Sequence, residues 1–110
     1  MTVIKIFKKN NQINTIECSG HSGYAENGCD IVCSAISSLT QGCVLGLIEV
    51  AGIKDIEIKK NDKNGYYKFS IPYNISEIQR FQANTLLNTL ELCLKDLEKG
   101  YSKYIKLEVK

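Results

Sequence analysis

A chain of 110 residues, 44% of them hydrophobic and 24% charged, has room for one modest core and none for a second domain, so a single domain over residues 1–110 is expected. The net charge is only +2 and the lysines are scattered, with mild concentrations at Lys8 and Lys9 and at Lys59, Lys60 and Lys63, which excludes the basic stripe that tracks a nucleic-acid backbone. The 5 cysteines are an odd number without repeating spacings, and residues 2–7 read as a strand rather than a signal peptide, so the expectation is a cytoplasmic chain with reduced thiols.

Residues 2–8 alternate through Ile4 and Ile6, and residues 13–19 alternate through Ile16 and Cys18, with Asn10 and Asn11 as turn residues between them. This is the pattern of an antiparallel hairpin. A glycine-punctuated loop follows, and then an apolar helical pattern from Asp30 to Ala51 that Gly52 stops. The segment 31–53 carries one charged residue, Glu49, which raises the question of a membrane span. Ser34, Ser37, Ser38, Thr40, Gln41, Gly42 and Gly46 dilute it, and no basic flank precedes it. The expectation is therefore a helix buried under a sheet and a second subunit, with no membrane partner.

Residues 54–60 and 66–71 form a second hairpin pattern whose turn is marked by Asn64-Gly65. Pro72 closes that strand, and Asn74 or Ser76 can cap the next helix, each with an acceptor-bearing residue beyond it, Glu77 or Gln79. Leu87, Leu90, Leu94 and Leu97 then lie along one helical stripe ending at Gly100, and Ile105, Leu107 and Val109 alternate as a last strand. The order strand-strand-helix-strand-strand-helix-strand predicts an α+β two-layer fold, a mixed sheet with two helices on one face.

Chemistry concentrates between Gly20 and Ser38, which hold the only histidine, His21, and a cysteine at a helix entrance, Cys33. With Asp30 as N-cap, Ile31, Val32 and Cys33 occupy the first three helical positions. A thiol there lies among amide N–H groups without intrahelical partners, at the positive end of the helix dipole, and both effects favour thiolate. Gly20, Gly23 and Gly28 free the backbone to fold the imidazole back over the helix start. Yet a lone histidine is ordinarily a surface residue and a free cysteine a small core residue, and the pattern alone leaves both readings open.

Asp30 is accounted for by capping, and a carboxylate so near the thiol opposes thiolate formation, so its role is supporting. Glu26 reads as a solvated loop residue. Cys29, 4 positions before Cys33, invites a zinc or redox reading with His21, but a fourth ligand and a second cysteine pair are wanting, so no metal is expected. Cys18, Cys43 and Cys93 fall on apolar faces and read as core. Ser34, Ser37 and Ser38 serve either as site hydroxyls or as small packing residues.

The strings G-H-S-G-Y-A-E at residues 20–26 and G-C-D-I-V-C-S-A-I-S at residues 28–37 resemble the paired signatures of the ribosomal-processing cysteine protease family Prp. The resemblance implies that His21 and Cys33 are the catalytic pair; Asp30, Gly20 and Ser37 are expected in support, and no cofactor is expected. It also implies a homodimer and a substrate that is the N-terminal extension of a bacterial large-subunit ribosomal protein, the twenty-seventh in the usual naming, with aromatic residues near the cut. On this reading Cys33 attacks a peptide carbonyl, His21 protonates the departing amine, and helix-start amides including that of Cys33 hold the oxyanion. The glycine-rich loop, with Gly23 and Gly28 as its gating residues, suggests that substrate binding orders it and only then brings His21 within reach. The rivals are a non-catalytic ribosome- or RNA-associated binding module, and a thiol redox protein using Cys29 and Cys33.

Overall fold

The computed structural model describes residues 1–26 and 28–110. Alternating side chains in the first two strands, β1 (Thr2–Lys9) and β2 (Gln12–Ser19), pair them as an antiparallel hairpin. Its turn is closed by Asn10 and Asn11, both left-handed with φ of 54° and 63°, the pair of positive values that a tight two-residue connection requires. The helices are α1 (Ile31–Leu45) and α2 (Glu77–Gly100), and the remaining strands are β3 (Glu57–Asn61), β4 (Tyr66–Ser70) and β5 (Ile105–Val109). The sheet order is β3-β4-β2-β1-β5, antiparallel except for the β1–β5 pair, which gives the expected mixed sheet.

Register decides which side is core. Leu107, Ile4, Cys18 and Tyr67 form one cross-strand row, and Ile6, Ile16 and Phe69 form the next on the same face. The opposite face carries a row of Glu108, Lys5, Glu17 and Lys68. The apolar face is covered by Val32, Ile36 and Val44 of α1 and Leu87, Leu90 and Leu94 of α2, all buried in one cluster with it. Both helices therefore lie on one face, as the leucine stripe predicts.

Where expectation and structure differ, local backbone is the reason. The first helix ends its α-helical part at Leu45 and continues as a π-helical turn, Gly46–Val50, in which Ala51 N–H reaches back to the Gly46 carbonyl at 2.9 Å. Gly46 faces α2 so closely that a Cβ would stand 3.2 Å from Leu86 Cδ1. Residues Ile31–Val50 are long and apolar enough to cross a membrane, with mean hydropathy 1.8. One side of that length faces the core, while Leu45, Ile48 and Val50 remain exposed. The strand expected from residue 54 begins instead at Glu57, because Asp55 takes a φ of 62° that breaks the extended backbone. Ser76, rather than Asn74, caps α2 in a reciprocal capping box with Gln79, whose side-chain amide also donates to the Ala51 and Gly52 carbonyls. Cys18 and Cys43 are buried, whereas Cys93, expected in the core, is only half-buried.

Phe69 sits 1% exposed on β4, between Ile16 of β2 and Ile58 of the edge strand β3. Truncating it to alanine should cost about 4 kcal/mol of folding free energy. Urea denaturation of Phe69→Ala checks this, and a loss below about 1 kcal/mol would mean the core is not organised around that row.

Candidate active site

The site is built outward from one carboxylate. Asp30 Oδ1 accepts the N–H groups of Val32 at 3.0 Å and Cys33 at 2.9 Å, capping α1. Oδ2 accepts the Ser22 hydroxyl at 2.6 Å and the N–H groups of Tyr24 at 3.2 Å and Ala25 at 3.4 Å. One buried side chain thus fastens the loop to the helix start. Burial pushes this carboxyl up, but the hydrogen bonds from the Ser22 hydroxyl and the Cys33 and Ala25 amides outweigh it and hold the group at about 2, below its ordinary 3.8.

This capping corrects one expectation. The Val32 and Cys33 amides are engaged by Asp30, so the Cys33 N–H is not free to hold an oxyanion. The donor that meets the Cys33 sulfur is instead the Ser22 N–H, at 3.3 Å. Ser22 is 2% exposed and joins the site through both its amide and its hydroxyl. Nothing in the sequence singles it out, since a serine beside a loop histidine reads as solvated.

His21 is exposed, and its Nε2 lies 3.2 Å from the Lys63 carbonyl at the tip of the β3–β4 hairpin. Its own carbonyl accepts from the Met1 nitrogen at 2.9 Å, and the Gly20 carbonyl accepts from Thr2 Oγ1 at 2.9 Å. Tyr24, further along the loop, packs edge-on against Tyr104 and Tyr101, with ring centroids 5.2 and 5.7 Å away. Glycine is required at position 20, where φ is +86° and a Cβ would lie 2.8 Å from the Met1 carbonyl oxygen.

His21 and Cys33 line one cavity of about 230 Å³, together with Gly20, Ser37, Ile36 and Tyr67. Gly23 and Gly28, expected as hinges, lie outside that lining and have left-handed φ of 77° and 90°. Position 27 of that loop lies outside the described residues. Cys29 is exposed, does not line the cavity, and donates its N–H to the Glu26 carbonyl at 2.9 Å. Among the described residues no group of 3 or more His, Cys, Asp or Glu side chains is disposed to hold a metal ion.

Residues 1–106 match the family model described as cysteine protease Prp. The chain belongs to that family. The ribosomal processing cysteine protease Prp of Bacillus subtilis (strain 168) is 26% identical over 95 residues, covering 86% of this chain and 84% of that protein. Its namesake in Staphylococcus aureus (strain Mu50 / ATCC 700699) is 27% identical over 100 residues, covering 90% and 89%. The crystal structure of an essential ribosomal processing protease Prp from S. aureus, in complex with a covalently linked product peptide, superposes with a TM-score of 0.87 at 23% identity over 100% of both chains. The fold is therefore that of the Prp proteases, and the chain is a cysteine protease.

The low value of Asp30 gives a signed prediction. Between 3.8 and about 2 the unfolded chain binds the proton first, so the stabilisation from Asp30 is complete above the unfolded value and is lost as pH falls through the folded one. Asp30→Ala should lower stability by about 2 kcal/mol at pH 7 and flatten the fall on the acid side. Urea midpoints for both proteins at neutral pH and near pH 2.5 check it, and an acid limb as steep in the variant as in the parent would contradict it.

Proposed function

We propose that the chain is an endopeptidase in which Cys33 is the nucleophile and His21 the proton carrier, and that it removes the N-terminal extension of the twenty-seventh large-subunit ribosomal protein. The observation that carries this reading is the convergence of the Cys33 sulfur and the only imidazole on one cavity, with an amide N–H already on the sulfur. The thiolate attacks the scissile carbonyl carbon, forming a C–S bond. His21 imidazolium gives its proton to the amine as the C–N bond breaks, and water, deprotonated by His21, then hydrolyses the thioester. Because the Cys33 amide is engaged by Asp30, the Ser22 N–H is the donor best placed to turn from sulfur to oxyanion.

The covalently linked product peptide in the S. aureus protein supports a covalent route, and the relatives named for ribosomal processing support a ribosomal protein as substrate. Such a substrate and a free thiol nucleophile both suit the cytoplasm. The His21 half of the loop is fastened by Met1, Thr2 and Lys63, so closure over substrate falls to the outer half, with Gly23 and Gly28 as hinges. A homodimer fits the apolar surface that Leu45, Ile48 and Val50 leave outward. Light scattering should return twice the 12.3 kDa chain mass, and a monomer mass at micromolar concentration would remove this part of the reading.

Incubation with the full-length ribosomal protein, followed by mass spectrometry of the products, tests the whole. Wild type should release one N-terminal fragment, and Cys33→Ala and His21→Ala should each lower the rate at least about 10³-fold with circular dichroism unchanged. Cleavage that survives Cys33→Ala would end the protease assignment to this residue.

A further inference from the structure

We propose that the main-chain carbonyl of Lys63 is the positioning group of the site: it holds the proton on Nε2 of His21, so that Nδ1 is the nitrogen that exchanges protons with Cys33 and the leaving amine. This rests on the protease reading above. A carbonyl oxygen can only accept, so the 3.2 Å contact requires that Nε2 carry hydrogen. A neutral imidazole so held has its lone pair on Nδ1. The Asp30 carboxylate does not serve, because both its oxygens are occupied by 5 donors from the loop and α1.

The hairpin tip is shaped to make this approach. Asn61 Oδ1 accepts the Asn64 N–H at 3.3 Å, and Gly65 N–H returns to the Asp62 carbonyl at 3.2 Å, closing a short 3-10 turn, Asp62–Asn64. Gly65 then has a φ of 62°, and a Cβ there would stand 2.9 Å from Gly20 C and 3.1 Å from His21 Cε1. Any side chain at position 65 would push the tip away from the histidine. In the catalytic cycle Nδ1 takes the thiol proton, the resulting imidazolium keeps its Nε2–H on Lys63 O, and the Nδ1 proton passes to the amine as the C–N bond breaks. Nδ1 then takes a proton from the water that opens the thioester.

A chain with 1 histidine makes the test direct, since every imidazole nitrogen signal belongs to His21. In ¹⁵N-labelled protein above the titration of the ring, Nε2 should show the pyrrole-type and Nδ1 the pyridine-type resonance. The reverse pattern, or tautomer-averaged signals, would overturn the proposal. Gly65→Ala should average the two resonances and lower kcat on the order of 10- to 100-fold with KM little changed. Gly52→Ala is the control, because its φ is +67° but a Cβ there meets nothing within 4 Å, and it should leave spectrum and kcat as in wild type. Wild-type behaviour of Gly65→Ala in both readouts would also overturn the proposal, and if that variant does not fold the wild-type spectrum decides alone. The spectrum needs no turnover: averaged signals in an enzyme whose cleavage depends on Cys33 defeat this inference only, whereas cleavage that persists in Cys33→Ala defeats the protease reading beneath it.

Discussion

The Asp30 carboxylate is the interaction on which the rest of the site depends, because two independent deficits meet there. A helix start leaves first-turn amides without partners, and a loop of glycines and small polar residues has little apolar surface to hold it. Asp30 answers both, with one oxygen on Val32 and Cys33 and the other on Ser22, Tyr24 and Ala25. A neutral acid in that buried place would be worse at accepting so many donors, and the donors are what keep it ionised. The position of the Ser22 amide over the Cys33 sulfur follows from this bridge, since the same residue is fixed by its hydroxyl to Asp30.

The sheet explains why segments distant in sequence converge on the cavity. Cys18 pairs with both Ile4 and Tyr67, so the chain leaving β2 at Ser19 passes between the start of β1 and the start of β4. Thr2 and the turn before Tyr66 are then adjacent to Gly20 and His21 on either side. The hydrophobic register that puts Ile4, Cys18 and Tyr67 on one face therefore also sets where the histidine stands. A slip of one residue would turn the core row outward and separate the hairpin tip from the loop.

Much of this was legible in the sequence where side-chain pattern carries the information. The Asp30 cap, the third-position Cys33, the leucine stripe of α2 and both hairpins follow from periodicity and turn chemistry. What escaped is carried by the main chain or by burial. Lys63 acts through its carbonyl, for which any residue would do, and Ser22 is important because it is enclosed, which its neighbours in sequence do not reveal. The helix-start amides looked free because a cap is recognised by residue type, whereas the number of N–H groups one carboxylate takes up depends on how it is turned. The late start of β3 hangs on the backbone of Asp55, a residue that tolerates left-handed φ without announcing it.

A neutral positioning group also suits the charge balance of a thiol site. Asp30 already places one negative charge at the helix entrance, and the proposed chemistry adds a second on the Cys33 sulfur. A further carboxylate on the imidazole would stabilise its cation but add a third negative charge around the thiolate, opposing the ionisation on which attack depends. A carbonyl orients the ring and accepts from the imidazolium without that penalty. The buried thiols are removed from the chemistry by the opposite means: burial pushes Cys18 up to about 12, with the neighbouring Glu17 adding to it, and Cys43 up to about 11. Cys18 lines the same cavity as Cys33 and yet remains a neutral wall. Burial thus separates Cys18 and Cys43 from the sulfur to which the proposed chemistry assigns the attack, with no change in the residue type itself.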